Sequence, residues 1–285
     1  MIAVKLEGRL GNQLFQYAFA YAAAKKLGTS FYLDKSIAEF MPAKYFNLKP
    51  DFLQSLDASI FSVKGYKNLF SIKLKQTFYK QLRKLFFGSK TINIDNHQPV
   101  TVALSQLQNH HLYVGYFQSE TYFRDIKTEL KQVLNIKENY TNAFKDLAKQ
   151  LPSHPKKIAV HIRRGDYVGL NWALPLLYYK KALDIARYED ALCIFISDDP
   201  EFIEHEFSHI TNKYISTQSE IIDLQFLINA DVCILSSSSF SWWGAWLNAN
   251  EHKQIIAPKN WLGFIDNKEY PTGIADGLNY NWIEA

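Results

Sequence analysis

The alternation of short apolar runs with helix-like segments between residues 158 and 257 is the feature that most constrains the fold. Each run is rich in Ile, Leu, Val and Phe and has the length of a buried strand. Strands that alternate with helices form a parallel sheet, because each helix returns the chain to the start of the next strand. The predicted strands are 158–162, 192–197, 231–235 and 254–257, and the predicted helices are 176–187, 200–207, 220–229 and 239–249.

The N-terminus opens a second series of the same kind. Residues 2–6 and 31–33 have the composition of strands, and the alanine- and aromatic-rich run 14–27 between them predicts a buried helix. Gly28 follows two lysines and is expected to end that helix. A further strand is predicted over 112–117 and a further helix over 120–134.

Two prolines among polar residues at 151–157 mark a linker, so we place the domain boundary between residues 152 and 153. The two domains are therefore expected to be 1–152 and 153–285. Each is predicted to be a Rossmann-like α/β domain with a parallel sheet, and the two sheets are expected to face a central cleft. Ligands of such sheets bind at the carboxyl ends of the strands.

The chain has neither the basic-then-apolar start of a signal peptide nor a run of roughly 20 apolar residues that could span a bilayer. Its two cysteines, Cys193 and Cys233, each lie in a predicted buried strand. Unpaired buried thiols are typical of a reducing compartment. We therefore expect a cytoplasmic protein.

The motif His161-Ile162-Arg163-Arg164-Gly165-Asp166-Tyr167 follows the predicted strand 158–162. Arginine presents a planar fork of donors that matches phosphate oxygens and stays charged at neutral pH. Adjacent side chains at a strand end cannot both face the same way, so one arginine is expected to meet a ligand while an acid such as Asp166 holds the other. The alternative is a purely structural ion pair.

Four serines, Ser236 to Ser239, separate a predicted strand from an apolar helix. A helix start needs one capping side chain, so four hydroxyls exceed that need. Hydroxyls and free backbone N–H groups at the positive end of a helix dipole favour a phosphate. The run predicts an anion site, while the following Trp242 and Trp243 are expected in the core.

The segment Ser197-Asp198-Asp199-Pro200 combines a helix start with a spare carboxylate. Asp199 before Pro200 is expected to cap the helix, because proline is favoured at its first position. Asp198 is then predicted to be free to meet a ribose or a guanine edge. Nothing nearby supplies further carboxylates or histidines at ligand spacing, so no metal site is predicted.

A glycine-containing turn, Gly8-Arg9-Leu10-Gly11-Asn12-Gln13, follows the first strand. Glycines in such a turn allow close approach of the backbone to a ligand. Asn12 and Gln13 are neutral hydrogen-bonding side chains that suit sugar hydroxyls or contacts between domains.

In this order the motifs resemble the α-1,2-fucosyltransferases of glycosyltransferase family 11. The resemblance covers nearly the whole chain, and the HxRRxD pattern alone is shared with α-1,6- and protein O-fucosyltransferases. Arg9 stands where the family commonly has a second glycine, and Ser237 stands where it commonly has asparagine. The blocks that carry the resemblance are GRLGNQLFQYAFAYAAAKKLG (8–28), GYFQSETYF (115–123), HIRRGDY (161–167), ISDD (196–199), SSFSWWGAWL (238–247) and PKNW (258–261).

The resemblance implies a GT-B fold, an acceptor site in the first domain and a GDP-fucose site in the second. The acceptor it implies is a galactose 2-hydroxyl in an oligosaccharide or a lipid-linked glycan. The implied reaction inverts the configuration at the anomeric carbon of the fucose and needs no cofactor or metal. The leaving diphosphate then needs fixed cations, for which Arg163 is the first choice, assisted by His161. The donor-binding residues it implies are Arg163, Arg164, Asp166, Asp198, Ser237, Ser238 and Ser239, and the acceptor-side residues are Gly11, Asn12 and Gln13.

The base that takes the acceptor proton is not fixed by these motifs. Asp34 and Glu120 both fall near predicted strand ends in the first domain, and each has an alternative role as an acid at a helix start. A strongly dissociative transition state needs no strong base.

Eight lysines and arginines and no acidic residues lie between Asp57 and Asp95, although the whole chain carries a net charge of only +4. Aromatic residues alternate with these charges from Lys64 to Lys90. A solvated helical face explains the pattern, and the alternative hypothesis is that it rests on an anionic surface at the inner face of the membrane. No nucleic-acid recognition motif accompanies the charge, so a nucleic-acid partner is not expected.

Three other functions are alternatives to transfer to galactose. A non-catalytic nucleotide-sugar or glycan-binding protein on the same fold, and a fucosyltransferase of different linkage, both stay open. The chain lacks the GxxxxGK[ST] loop of the P-loop kinases and NTPases, so it does not belong to those enzymes.

Overall fold

A computed structural model describes residues 1–49 and 72–285, and the chain divides into two compact units. The first unit comprises Met1–Asn135 with Thr272–Gly277, and the second comprises Ile136–Pro271 with Leu278–Ala285. The expected boundary between residues 152 and 153 therefore lies inside the second unit.

The helix Glu138–Ala148 explains this earlier boundary. Its Phe144 packs edge-on against Phe226 of the second unit, with the ring centroids 5.2 Å apart. The helix precedes the two prolines of the linker but buries its apolar side against a helix that follows them. The linker composition was visible in the sequence, whereas this packing partner was not.

The first unit contains a parallel sheet in the order β2-β1-β4-β3. Its three predicted strands are confirmed, the first and the last with shorter limits and the second one residue longer, and the sequence missed β3. The strands are β1 (Ile2–Lys5), β2 (Phe31–Asp34), β3 (Thr91–Asn93) and β4 (Leu112–Val114); the helices are α1 (Leu10–Lys26), α2 (Pro42–Tyr45), α3 (Ile72–Phe87), α4 (Val100–Ser105) and α5 (Lys127–Val133).

The helix predicted over 120–134 is wrong as a single element. Two short 3₁₀ turns, Glu120–Tyr122 and Arg124–Ile126, come before α5. Phe123 lies between these turns with φ −136° and ψ 17°, which no α-helix accommodates. Its side chain is buried, so packing in the core determines the backbone here more than helix propensity does.

Helix α1 is buried on almost every side, as its alanine- and aromatic-rich sequence predicted. It ends in a Schellman motif, in which the Gly28 N–H donates to the Lys25 carbonyl and the Thr29 N–H donates to the Ala24 carbonyl. Gly28 has φ +60°, a conformation that glycine adopts without strain. The predicted stop at Gly28 is confirmed.

The second unit contains a parallel sheet in the order β10-β9-β8-β5-β6-β7. The predicted elements between residues 158 and 257 are confirmed within one or two residues, and β7 and β10 were missed. The strands are β5 (Lys157–Ile162), β6 (Leu192–Ser197), β7 (Lys213–Ser216), β8 (Val232–Ile234), β9 (Gln254–Pro258) and β10 (Asn281–Ile283); the helices are α6 (Glu138–Ala148), α7 (Gly165–Gly169), α8 (Leu176–Ala186), α9 (Pro200–Glu206), α10 (Glu220–Ile228) and α11 (Ser239–Leu247).

Each sheet changes its direction of growth next to its first strand. In the second unit the chain adds β6 and β7 on one side of β5 and then returns to add β8 on the other side. The corresponding point in the first unit lies between β1 and β4. Such switch points open a crevice at the carboxyl ends of the strands, which is where ligands of open α/β sheets bind.

The core of the second unit forms around β5, whose Ile158 and Val160 are fully buried together with Phe195 and Ile234. Cys193 and Cys233 are free and buried, as expected, and burial raises the pKa of each thiol to about 12. Across residues 1–49 and 72–285, no helix combines the length and the apolar character needed to cross a bilayer.

Gly244 of α11 lies directly against Leu227 of α10. A Cβ atom at this position would lie 2.5 Å from the Leu227 Cβ, so Gly244→Ala forces the two helices apart. We expect a loss of about 1–3 kcal/mol of stability, seen as a lower Tm. Gly169→Ala is the matched control, because nothing lies within 4 Å of a Cβ there. Equal Tm values for the two variants would contradict this packing.

Candidate active site

The three polar motifs of the second unit meet at one edge of its sheet. Ile162 pairs with Ser197, and Val160 pairs with Ile234, so β5, β6 and β8 end side by side. The segments that follow these strands begin at Arg163, Asp198 and Leu235. They lie at the switch point between β5 and β8, where a ligand is expected.

Arg163 is held by two carboxylates. Its guanidinium forms an ion pair with Asp166, and its Nη1 lies 2.6 Å from Asp198 Oδ2. The guanidinium also lies 5.5 Å from the ring centroid of Tyr167, and the Arg163 side chain is 18% exposed. A fork fixed in this way is a pre-positioned cation at the edge of the sheet.

The acidic partners of the two arginines differ from those expected from the sequence. Asp166 was expected to hold whichever arginine does not meet a ligand, yet it holds Arg163, the first choice for the ligand. Arg164 turns toward α9 instead: its Nε donates to Asp199 Oδ2 at 2.9 Å, and its guanidinium lies 3.7 Å from the Phe202 ring centroid. That cation–π contact and ion pair fix Arg164 against the helix.

Asp198 is not free, so the prediction of a spare carboxylate is wrong. Besides Arg163, it accepts a hydrogen bond from the Arg164 backbone N–H at 2.8 Å. Its Oδ2 also lies where a side chain on Gly165 would be, 2.5 Å from an ideal Cβ. Asp198 therefore positions the loop after β5. Asp199 does cap α9, because its side chain accepts from the Phe202 N–H.

His161, near the end of β5, is buried against the serine run that follows β8. Its Nδ1 lies 2.7 Å from Ser236 Oγ, and its ring centroid is 5.4 Å from that of Phe240. Burial lowers the pKa of His161 to about 3; Asp198 acts in the opposite direction, and Arg163 lowers the pKa further. The imidazole is therefore neutral at physiological pH, so His161 can assist as a hydrogen-bonding group but not as a cation.

The serine run uses most of its hydroxyls inside the protein. Ser236 contacts His161, Ser237 Oγ donates to the Trp261 carbonyl at 3.0 Å, and Ser238 caps α11 through the Phe240 N–H. Ser237 is buried, and so its departure from the family's asparagine preserves an internal hydrogen bond. The expected donor-binding hydroxyls of Ser237 and Ser238 are thus engaged elsewhere.

The first turn of α11 is the part of this segment that suits an anion. The initial N–H groups of a helix have no partner within the helix, and the dipole places positive charge there. Ser239 is the half-buried first residue of this turn. Trp242 and Trp243 are fully buried, which confirms their expected place in the core.

The glycine turn of the first unit is internally bonded. Gly8 has φ +75°, and a Cβ there would lie 2.5 Å from Asn12 Nδ2. Gln13 donates to the Gly8 and Glu39 carbonyls and accepts from the Met41 N–H. The Gln13 side chain therefore connects backbone segments within the unit and is not available for the expected contact with a sugar.

Asn12 lies at the switch point of the first sheet. Its Oδ1 accepts from Gln118 Nε2 at 2.8 Å, which joins the turn after β1 to the segment after β4. Gly11 is buried in the first turn of α1, whereas Arg9 is exposed and makes no side-chain cap. Asn12 is the half-buried polar side chain among the three predicted acceptor-side residues.

Gln16 and Gln118 are two further amides that connect segments at the switch point of the first sheet, and neither is among the candidate residues predicted from the motifs. Gln16 is fully buried, accepts from the Glu7 N–H at 3.1 Å and donates to the Gly115 carbonyl at 3.0 Å. Both glutamines lie inside blocks that carry the family resemblance. A glutamine inside such a block was the signal in the sequence that could have indicated them, because a buried amide needs hydrogen-bond partners.

Both carboxylates considered as a catalytic base have structural partners. Asp34 is fully buried, its Oδ2 lies 3.1 Å from Arg83 Nη1, and its Oδ1 accepts from the Ser36 N–H. Glu120 is also buried, and Lys127 Nζ lies 3.1 Å from both of its oxygens. Each acid therefore has a role in holding the first unit together.

Asp223 adds a titratable group at the same edge of the second sheet. It lies on α10 and accepts a hydrogen bond from Ser216 at the end of β7. Burial raises the pKa of Asp223 to about 6, partly offset by the Ser216 hydrogen bond. Sequence reasoning missed it because β7 was not predicted. In the described ranges no three His, Cys, Asp or Glu residues are grouped so that they could hold a metal ion.

Comparison with known proteins gives one family over the whole chain. The model of "Glycosyl transferase family 11" matches residues 1–283. The E. coli "O-antigen biosynthesis glycosyltransferase WbnK" is 29% identical over 90% of this chain and 93% of its own. The E. coli "Alpha-1,2-colitosyltransferase" is 28% identical over 92% of each chain. A C. elegans "Galactoside 2-alpha-L-fucosyltransferase" is 30% identical over 48% of this chain and 42% of its own.

Solved structures resemble the chain in fold. A NodZ α-1,6-fucosyltransferase soaked with GDP-fucose has a TM-score of 0.53 at 14% identity, covering 86% of this chain and 92% of that one. POFUT1 in complex with GDP has a TM-score of 0.52 at 11% identity, covering 90% and 97%. The expected fold class, α/β of the GT-B type with two parallel sheets, is confirmed.

Glu120→Gln should unfold at a markedly lower temperature than the parent protein. Only the Glu120 end of the pair is buried, and the 41% exposed Lys127 can be hydrated, so the change costs about 1.5–3 kcal/mol, the contribution of a hydrogen bond to a charged group. The matched control is Glu39→Gln, which removes an exposed Glu–Lys pair of the same unit and should change the Tm little. A purely catalytic Glu120 would give the opposite pattern, with turnover lost and the Tm unchanged.

His161 makes stability depend on pH. Between about pH 6.5 and 3 the unfolded chain protonates this imidazole and the folded chain does not, so stability falls as the pH falls through that range. His161→Gln should flatten the decline of Tm between about pH 7 and 4. His252→Gln, at an exposed position, should leave the slope unchanged. Parallel Tm–pH curves for the parent and His161→Gln would refute the buried neutral imidazole.

Proposed function

The chain belongs to glycosyltransferase family 11, and from this membership and the geometry of its site we propose that it is an inverting α-1,2-fucosyltransferase. In this proposal it moves L-fucose from GDP-β-L-fucose to the 2-hydroxyl of a galactose in a glycan acceptor. The observation that carries the proposal is the position of Arg163, clamped by Asp166 and Asp198 at the switch point beside the start of α11.

Arg163 is assigned to the diphosphate of the donor. When the bond from the sugar to the diphosphate breaks, negative charge develops on the leaving oxygen, and a cation already in place stabilises it without reorganisation. The two carboxylates fix the fork and leave part of the side chain exposed. Arg164 is assigned a positioning role, because its guanidinium is committed to Asp199 and Phe202.

Neutral groups complete the donor site in this proposal. The first turn of α11, beginning at Ser239, supplies N–H dipoles toward the same diphosphate. His161 is neutral and contacts Ser236, so it orders the loop after β8. A neutral imidazole adds a hydrogen-bonding group without competing with Arg163 for the anion.

The sugar transfer itself is an in-line displacement. The acceptor hydroxyl attacks the anomeric carbon from the face opposite the diphosphate, which converts the β-linked donor into an α-linked product. Since Asp34 and Glu120 are each bound to a cation, we assign neither of them as the base. We propose that the acceptor hydroxyl loses its proton to water late in an oxocarbenium-like transition state, and that no metal is required because Arg163 and the helix start stabilise the charge of the diphosphate.

A related donor is the second candidate. One relative is named a colitosyltransferase, and colitose is the 3-deoxy analogue of L-fucose. The same linkage chemistry then applies, and specificity depends on whether a polar group of the site bonds to the fucose 3-hydroxyl. A site built for that hydroxyl rejects the deoxy sugar strongly, because its buried partner is left unpaired.

The test is a donor and acceptor panel with EDTA present throughout. GDP-fucose and GDP-colitose are each incubated with lactose or N-acetyllactosamine, and GDP release and product linkage are followed. An α-1,2-fucosylated product supports the proposal, and preference for GDP-colitose supports the second candidate. Binding of GDP-fucose without transfer to any galactoside indicates a binding protein or another acceptor, and loss of activity in EDTA refutes the metal-free mechanism.

Arg163→Lys should lower kcat/KM for GDP-fucose by about 100-fold. Lysine keeps the charge but cannot engage both carboxylates in a fork, so the cation is no longer held in position. Arg187→Lys is the matched control, because Arg187 is an exposed arginine of the same unit, and it should retain full activity. Unchanged kcat/KM in a correctly folded Arg163→Lys protein would rule out the assigned role.

A further inference from the structure

Helix α3 presents a surface that neither the sheet nor the candidate site uses. Its outward side carries Leu74 and Leu85, which are 51% and 79% exposed, and the neighbouring Phe86 is 38% exposed. Leucine and phenylalanine at this exposure lose the free energy that burial would supply. We call α3 and the turn to Lys90 the α3 face. Lys64 and Lys67 of the basic segment lie outside the described residues.

The inward side of α3 is fully committed to the first unit. Tyr79 and Phe87 are buried, and Arg83 forms the ion pair with Asp34 at the end of β2. Lys75 pairs with Glu39. These contacts fix which side of α3 faces outward. The leucines are therefore exposed because the opposite side of the helix packs against the first unit.

The outward side has the pattern of an interfacial helix. Leu74 and Leu85 are eleven residues, or about three helical turns, apart, which places both in one apolar stripe on the outward side. Phe78 is partly buried against the core of the unit. Lys80 and Lys84 lie along one flank of this stripe, and both are exposed. A helix with an apolar stripe flanked by lysines lies in the plane of a bilayer interface.

Three lysines of the α3 face carry charge that no described carboxylate compensates, in contrast to Lys75 and Arg83, which have acidic partners. No acidic residue occurs in the sequence between Asp57 and Asp95. In the part of the chain that the structure describes, the side chains of Lys80, Lys84 and Lys90 have no carboxylate within ion-pair distance. A local positive potential on a chain of net charge +4 selects an anionic partner.

We propose that the α3 face binds an anionic phospholipid surface. The lysines contact lipid phosphates, and the apolar stripe enters the boundary between headgroups and acyl chains. The apolar stripe favours a lipid surface over nucleic acid or an acidic protein. Burial of Leu85 among acyl chains is favourable, whereas contact with a hydrated polyanion leaves it exposed to water. The proposal does not rest on the donor or the linkage.

The test uses the full chain and vesicles of stated composition. Sedimentation is measured with phosphatidylglycerol–phosphatidylcholine vesicles and with pure phosphatidylcholine vesicles at low ionic strength. We expect binding at least about tenfold stronger to the anionic vesicles, and a decrease with added salt. Lys80→Glu with Lys84→Glu should abolish it, and Leu74→Ser with Leu85→Ser should weaken it by about tenfold.

Helix α8 of the second unit offers a matched control. It carries exposed Leu177, Lys180 and Lys181, so Lys180→Glu with Lys181→Glu, and separately Leu177→Ser, repeat the same kinds of change elsewhere. These variants should bind anionic vesicles like the parent protein. All variants should keep the parent Tm and the same activity on a soluble acceptor, so failure of the enzymatic assay is distinguishable from failure of this proposal.

Three outcomes would overturn the proposal. Equal sedimentation with neutral and anionic vesicles removes the electrostatic component, and an equal loss in the α8 variants shows that binding is not local. Binding that depends on Lys80 and Lys84 but not on Leu74 and Leu85, and that duplex DNA displaces, indicates a general polyanion site instead.

Discussion

Parallel pairing around β5 is the constraint on which the candidate site depends. Because β6 and β8 flank β5 in register, the segments that follow all three strands emerge at one edge. The change in direction of sheet growth at the same place prevents a helix from covering the crevice. Residues far apart in the chain, such as His161 and Ser236, meet there at hydrogen-bonding distance. The chemistry of the site is therefore a consequence of strand order.

Electrostatics within this edge separate groups by role. Arg163 and Arg164 are neighbours in the chain, yet each pairs with a different aspartate after β6. The nearby His161 stays neutral, since burial and the adjacent guanidinium both disfavour its charged form. A guanidinium held in place beside the dipole of a helix start, with the neighbouring imidazole uncharged, suits an anion whose charge increases during a reaction.

The first unit also has a switch point in its parallel sheet, but the polar groups there are different. At its switch point neutral amides replace the charged groups, and Asn12, Gln16 and Gln118 join the segments after β1 and β4. Its two buried acids, Asp34 and Glu120, are bound to cations and stabilise the unit. Charged groups thus concentrate in the second unit's site, and the polar groups at the first unit's switch point are hydrogen-bonding ones.

The sequence by itself determined most of the strands and helices and the family of the chain. Hydrophobic periodicity gave most strands and helices, glycine gave the end of α1, and the order of the motifs gave the family. Tertiary structure decided the partners: that Asp198 is held by Arg163, that the Ser237 hydroxyl turns inward, and that the second unit begins before the prolines. Local patterns record what each residue can do, whereas pairing depends on which distant group the fold places within about 3 Å. Spacing along the chain does not contain that distance, and strand order creates it.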